Sequence, residues 1–126
     1  MVNKVELAFE HAKNEISGLK AISAVEVETG LSHGSLIIDT KFDLEAASAY
    51  NAEVVKAKIK AKNAMGMSKE RVEIMIIELS SQIHLIQPTP DEKYIIYMAA
   101  DKGSSNIGIT RKVMMAVSGD VQAALK

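Results

Sequence analysis

Three short apolar runs follow one another with almost no spacer between residues 71 and 111. They cover residues 72–79, 83–86 and 93–100, and a helix-start pattern begins at Gly103 directly after them. Strands with connections this short pair antiparallel, because a parallel pair needs a crossover of about a dozen residues or more. The feature therefore predicts an antiparallel meander. It excludes, in this part of the chain, the parallel sheets that commonly bind nucleotides.

Composition narrows the class of protein. A chain of 126 residues that is 48% hydrophobic predicts one domain spanning residues 1–126. The 15 Lys and Arg residues nearly balance the 16 Asp and Glu residues, so no basic field favours nucleic acid. The absence of cysteine excludes disulfides and thiolate zinc sites. No run approaches the roughly 18 apolar residues of a membrane span, and the first residues lack a signal-peptide core, so we expect a cytoplasmic protein.

The N-terminal part predicts a helix followed by a hairpin. Asn3 is the expected N-cap of an amphipathic helix whose apolar residues recur every three or four positions. These residues are Val5, Phe9, Ala12, Ile16 and Leu19. Residues 21–30 alternate too briefly to be assigned a strand, and we interpret them as a connection. Residues 35–39 and 44–49 predict the two strands of the hairpin, and Gly34 indicates a bulge or a close backbone approach.

Residues 51–65 predict a helix with two apolar stripes. Alanine and lysine favour a helix over a strand, Asn51 is a suitable cap and Gly66 a suitable stop. One stripe consists of Val54, Ala57, Ala61, Ala64 and Met65, and the other of Ala52, Val55 and Ile59. A helix on its own sheet needs one stripe, so two stripes indicate a second contact. A single broad buried face with lysines snorkelling at its edges explains the pattern equally well.

The C-terminal part completes the order of elements. The first run of the meander is apolar on both faces, which predicts a strand covered on both sides. The last helix is expected to be capped by Ser104 or Ser105, and Gly108 in its first turn predicts a close approach to the sheet. The order α-β-β-α-β-β-β-α predicts an α+β fold around a five-stranded antiparallel sheet.

The sequence offers little chemistry. His11, His33 and His84 share no metal-ligand spacing, and we interpret His11 as solvated and His84 as structural. The adjacency of Ser32 and His33 is not a nucleophile–base pair, since that pairing is spatial and needs an orienting third group. No glycine-rich phosphate loop is present. We therefore expect a protein that is not an enzyme and has no metal or cofactor.

The middle helix carries a local positive charge. Four lysines (Lys56, Lys58, Lys60 and Lys62) stand against Glu53, so the local charge is 4 − 1 = +3. Such a face fits an acidic partner, although a solvated face is the more common outcome. With few aromatic residues and no overall basic balance, nucleic acid is not the expected partner.

The chain resembles the roadblock family of dynein light-chain-like proteins. Gly34-Ser35-Leu36-Ile37-Ile38-Asp39 is similar to the first strand of that family. Asn106-Ile107-Gly108-Ile109, followed by Arg111, is similar to the Asn-Leu-Gly-x-x-Arg start of its last helix. The stretch Lys41-Phe42-Asp43 departs from the family pattern, since it lacks the usual Asp-Gly hairpin turn. The resemblance covers nearly the whole chain and implies a profilin-like or longin-like architecture with helices on both faces of the sheet.

The resemblance also implies a dimer. Family members are typically homodimers or heterodimers whose sheets join edge to edge, with the two middle helices side by side. The strand at residues 72–79 would then be the dimer edge, and one stripe of the middle helix would pack on its twin. The implied interface residues are Val54, Ala57, Ala61, Met65, Met75, Ile77 and Leu79.

The implied function is regulation of a small Ras-like GTPase. Bacterial family members often accompany such a GTPase and act on it without donating a catalytic arginine. The residues expected to bind this partner are Lys56, Lys58, Lys60 and Lys62. Two alternatives remain open. One is a ligand-sensing module of profilin-like shape with a closed cavity near His33 or Tyr94, and the other is a purely structural scaffold subunit.

Overall fold

The helices and strands follow one another in the order predicted, and the strands form a single sheet. A computed structural model of the protein describes residues 3–126. The elements are α1 (Lys4–Glu15), β1 (Leu19–Glu26), β2 (Ser32–Ile37), α2 (Leu44–Ala64), β3 (Met75–Glu78), β4 (Gln82–Pro88), β5 (Tyr94–Asp101) and α3 (Ile107–Leu125). The strands lie in the order β2-β1-β5-β4-β3, and every neighbouring pair is antiparallel. The predicted fold class and meander are confirmed.

Two assignments in the first half of the chain were wrong, and they compensate each other. Residues 19–26, interpreted mostly as a connection, form β1 near the centre of the sheet. Because nearly every residue of β1 is buried, the strand lacks the alternation that marks a half-exposed strand. Residues 44–49, predicted as a strand, are the first turns of α2, where the Asp43 carboxylate accepts a hydrogen bond from the Ala46 amide at 3.1 Å. The hairpin therefore joins β1 to β2, and the stretch resembling the family's first strand is the second strand here.

The first helix is capped as predicted. The Asn3 side chain accepts hydrogen bonds from the amides of Val5 and Glu6. The helix ends at Glu15, so the last two residues of the predicted stripe, Ile16 and Leu19, lie beyond it but are still buried. Gly34 makes the close approach that the sequence indicated. A Cβ atom at this position would lie 2.7 Å from Cγ1 of Val5.

Two hydrophobic cores lie on opposite faces of the sheet. One joins α1 and α3 to the sheet and includes Phe9, Met98 and Met114. The other joins α2 to the sheet and includes Val55 and Tyr97. Burying side chains of this size stabilises the fold by about 1.5–3 kcal/mol each. The helices therefore cover both faces, as the resemblance implied.

The ends of the last strands and of α3 differ from the sequence prediction. The strand predicted over residues 72–79 is only four residues long, and it is an edge strand that is not covered on both faces, since Ile76 and Leu79 are 40% and 45% exposed. Asn106 caps α3, because the hydroxyls of Ser104 and Ser105 bond to Asp101 instead. Gly108 does not approach the sheet. A Cβ there would meet only the Asn106 side chain.

Within the described residues 3–126, no helix combines the length and the apolar character needed to cross a lipid bilayer.

Candidate protein-interaction surface

One stripe of α2 packs on the sheet. Ala52 and Val55 are buried and Ile59 is partly buried against the core on this face. The hydroxyls of Ser48 on α2 and Ser23 on β1 lie 2.7 Å apart and satisfy each other in this buried contact. α2 packs mainly on β1, with smaller contacts to β2 and β5. The second predicted stripe is therefore the one that holds the helix to its own sheet.

The other stripe of α2 faces solvent. Val54 is 44% and Met65 is 59% exposed, and Ala57, Ala61 and Ala64 between them are exposed as well. The structure extends this stripe by one turn, because Tyr50 lies four residues before Val54 and is 75% exposed. The sequence prediction missed Tyr50 because it began the helix at residue 51. We call Tyr50, Val54, Ala57, Ala61, Ala64 and Met65 the outer stripe.

The strand β3 forms one edge of the sheet, and some of its side chains point to the face that α2 covers. β3 pairs with β4 on one side, and on its other side it has no strand partner among residues 3–126. Met75 and Ile77 of β3 are partly buried against the core that α2 covers, whereas Leu79, just after the strand, is exposed. The seven residues predicted for a dimer interface thus fall in two places, the outer stripe and the edge at β3.

The four lysines predicted to bind a partner do not form one surface. Lys58 and Lys60 are exposed, and at 100° per residue they flank the outer stripe on its two sides. Lys56 is half-buried, and its ammonium contacts both the backbone carbonyl and the carboxylate of Glu28 at 3.2 and 3.4 Å. Lys62 is buried and lies 3.8 Å from the Glu92 carboxylate. Lys62 is therefore not presented to a partner.

His84 is hydrogen-bonded through both of its ring nitrogens. The Nε2 atom of His84 lies 2.9 Å from Oε1 of Gln82, and its Nδ1 atom lies 3.0 Å from the hydroxyl of Tyr97. Both contacts are satisfied when Nε2 carries the proton and Nδ1 accepts from Tyr97. Burial lowers the pKa of His84 below its ordinary value of 6.5 and raises the pKa of Tyr97. Phe42 packs edge-on against His84 and stacks on Tyr97, which completes a cluster beneath the start of α2.

The region near His33 does not form a closed cavity. His33 and Tyr94 meet edge to face, with ring centres 5.3 Å apart, and the His33 imidazole lies 3.8 Å from the Glu26 carboxylate. The adjoining depression of about 440 Å³ is open to solvent, and charged residues such as Glu28 and Lys56 line it. It is therefore not the closed cavity that the ligand-sensing alternative calls for, although Val27, Ile59 and Tyr94 give it apolar surface.

Acidic side chains near the second strand also have local roles. A hydrogen bond from the Lys41 amide and the nearby Lys20 ammonium lower the pKa of the Asp39 carboxyl. Asp43 caps α2. Across residues 3–126, no three His, Asp or Glu side chains are grouped so that they could hold a metal ion.

The whole fold has close structural counterparts. A roadblock/LC7 domain from Streptomyces avermitilis has a TM-score of 0.77 at 13% identity, covering 92% of each chain. MglB from Myxococcus xanthus has a TM-score of 0.82 at 12% identity, covering 98% of this chain and 91% of its own. The gliding protein MglB from Thermus thermophilus has a TM-score of 0.81 at 10% identity, covering 96% of this chain and 87% of its own.

The protein resembles known proteins in its structure but not detectably in its sequence. No protein-family model and no curated protein matches the chain. The likeness to these three structures, in contrast, extends over nearly the full length of both chains, although only 10–13% of the residues are identical. Likeness of this kind reports on the fold. The protein has the roadblock/LC7 fold, as its helix and strand order and its Asn106–Arg111 motif indicated.

Proposed function

We propose that this protein is a non-enzymatic homodimer that binds a small Ras-like GTPase and regulates its nucleotide cycle or its location in the cell. The single observation that carries the proposal is the outer stripe of α2, an apolar helix face that no other described residue covers, in a fold shared with MglB proteins. An apolar stripe flanked by charged residues is typical of protein–protein interfaces.

The dimer would form through β3 and α2 together. An edge strand presents unpaired backbone N–H and C=O groups to which another strand can bond. If β3 pairs with β3 of a second copy, the two sheets become continuous and Met75 and Ile77 lie near the new junction. The two α2 helices would then lie on the same side, where their outer stripes can bury each other. Small residues such as Ala57 and Ala61 allow such helices to approach closely.

The GTPase would bind at the rim of this interface. Lys58 and Lys60 flank the outer stripe and form no ion pair with another described residue, so they are available to an acidic surface. Rim charges of this kind chiefly raise the rate of association and select the partner. In this proposal the GTPase keeps its own catalytic groups, and the dimer acts by stabilising one conformation of it.

The direct test is nucleotide-dependent capture of a partner. The tagged full-length protein is incubated with lysate of its native cell in the presence of GDP or a non-hydrolysable GTP analogue. We expect a small GTPase to be retained with one nucleotide and not the other. The double variant K58E/K60E should lose this partner, and K112E on the exposed side of α3 should retain it. Capture of no nucleotide-binding protein, with the dimer intact, would support the structural scaffold instead.

A further inference from the structure

A small cavity with two arginines lies on the face of the sheet opposite α2. It has a volume of about 220 Å³ and lies between residues 71–74, the end of β4 and the middle of α3. Arg71 and Arg111 both line it, although forty residues separate them in the sequence. Ile74 packs against the core beneath α1 and α3, which places the cavity on that side of the sheet. The cavity is therefore on the other side of the sheet from the outer stripe, and its wall at residues 71–74 leads into β3.

Neither arginine has a carboxylate partner in the part of the chain that the structure describes. The five ion pairs among residues 3–126 use lysines and one histidine, and none of them includes Arg71 or Arg111. Arg71 is instead held by the backbone carbonyl of Pro90, at 3.3 Å from Nη1. This contact uses one of its five N–H donors. Two arginines left with free donors beside one cavity fit a carboxylate or a phosphate.

The remaining walls are mostly apolar or already hydrogen-bonded. Val72, Ile74 and Met115 contribute aliphatic surface. The Thr89 hydroxyl donates to Asp91 at 2.7 Å, and the Ser118 hydroxyl donates to the Met115 carbonyl at 2.9 Å. The cavity is smaller than the roughly 300–1,000 Å³ of sites for drug-sized molecules. A compact molecule with one anionic group and a short apolar body is the ligand that these walls fit.

One acidic residue tunes the charge of the cavity. Glu73 also lines it, so the charge of the lining residues is 2 − 1 = +1. The backbone carbonyl of Glu73 accepts a hydrogen bond of 2.6 Å from the Gln87 side chain, which ties residues 71–74 to β4. The Glu73 carboxylate should weaken the binding of an anion. Removing its charge should therefore increase the affinity, whereas removing an arginine should decrease it.

We propose that this cavity binds a small organic anion, with Arg71 and Arg111 pairing with its carboxylate or phosphate group and the aliphatic wall receiving its apolar body. Residues 71–74 run directly into β3. A bound anion would therefore add a contact to the segment that leads into the dimer edge, a consequence that rests on the proposed function.

The test titrates the full-length protein with two anions and a neutral analogue. Isobutyrate and phenyl phosphate are the anionic probes, isobutyramide is the neutral one, and binding is followed by NMR at the backbone amides of residues 71–74 and the arginine Nε–H groups. We expect saturable shifts with at least one anion and none with isobutyramide. The tighter of the two anions identifies the ligand as a carboxylate or a phosphate.

Variants make the test specific to this cavity. R71Q and R111Q should each weaken binding about tenfold or more, since each removes charge-assisted hydrogen bonds. R111K keeps the positive charge but loses the paired N–H donors of the guanidinium, and it should also weaken the binding of the anion. E73Q should tighten binding, and K112Q, next to Arg111 but outside the cavity lining, should leave it unchanged. Melting curves check that each variant is folded. Non-saturable shifts, or equal weakening by K112Q and R111Q, would overturn the proposal.

Discussion

The Lys62 ammonium lies 3.8 Å from the Glu92 carboxylate and joins the last turn of α2 to the β4–β5 turn. Lys62 is only 5% exposed, and Glu92 has a left-handed backbone conformation with φ of 59°. Residues other than glycine adopt this conformation rarely and at a cost. The second carboxylate oxygen of Glu92 is buried without a hydrogen-bond partner. The ion pair therefore links this end of α2 to the β4–β5 turn, and the Lys62 ammonium also donates a hydrogen bond of 3.1 Å to the Asn63 side chain.

Replacing Lys62 with methionine should destabilise the protein. The variant keeps the aliphatic stem but leaves the partly buried Glu92 carboxylate without its cation. Breaking a fully buried pair costs about 3–5 kcal/mol, and the long contact and partial exposure of Glu92 reduce this to about 1–3 kcal/mol. Urea unfolding followed by circular dichroism measures the change. The matched control is Lys58→Met, which lies one turn away, is exposed and should change the free energy of unfolding by no more than about 0.5 kcal/mol. Equal effects of the two substitutions would contradict a structural role for Lys62.

The stability of the protein should decrease on mild acidification because of His84. Burial lowers the pKa of His84 in the folded state below the ordinary value of 6.5, so the unfolded state binds the proton more readily. By linkage, this contribution to the free energy of unfolding is intact above about pH 6.5 and decreases as the pH falls towards the folded-state pKa. Unfolding curves between pH 7.5 and 5 measure it.

His84→Gln provides the test of this assignment. The glutamine does not titrate, so the decrease in stability between pH 7.5 and 5 should become smaller than in the parent protein. His11→Gln, on the exposed side of α1, is the matched control with which the pH dependence of His84→Gln is compared. An unchanged slope in His84→Gln would mean that other groups dominate the acid response.

Gly34→Ala should destabilise the contact between β2 and α1. The new Cβ would lie 2.7 Å from Cγ1 of Val5, and the backbone φ of 148° is unfavourable for alanine. We expect a loss of about 1–3 kcal/mol in the free energy of unfolding, measured by urea denaturation. Gly119→Ala is the control. Its Cβ meets open space on α3, and the higher helix propensity of alanine should stabilise the protein by up to about 1 kcal/mol. A harmless Gly34→Ala would show that β2 can move away from α1.

Met65→Lys should weaken the proposed dimer. The outer stripe would then bury a charge in place of a methionine, whose burial contributes about 1.5–3 kcal/mol in each copy. We expect the dissociation constant to rise about tenfold or more, measured by sedimentation or light scattering over a range of concentrations. Leu7→Lys is a closely matched control, since Leu7 and Met65 are both 59% exposed but lie on opposite faces of the sheet. A dimer that dissociates with Leu7→Lys and not with Met65→Lys would place the interface on α1 instead.

Local periodicity determined most of the architecture. The closely spaced runs after residue 71 allow only antiparallel pairing, which the structure shows. The spacing of apolar residues on α2 was enough to predict two separate stripes from the sequence alone. The Asn3 cap was predictable for the same reason, since an N-cap contacts only the next three residues. Features that depend only on residues within one or two helical turns can therefore be predicted from the sequence.

Features that depend on distant segments were decided only by the tertiary structure. β1 shows no alternation because helices cover both of its faces, so the sequence pattern that identifies a strand is missing from it. Lys62 continues the sheet-facing row of Val55 and Ile59, but its burial depends on Glu92, thirty residues later. Arg71 and Arg111 line one cavity only because the segment before β3 and the helix α3 lie beside each other. The sequence specifies which face of an element is apolar, and only the packing of remote elements determines what covers that face and which charges come together.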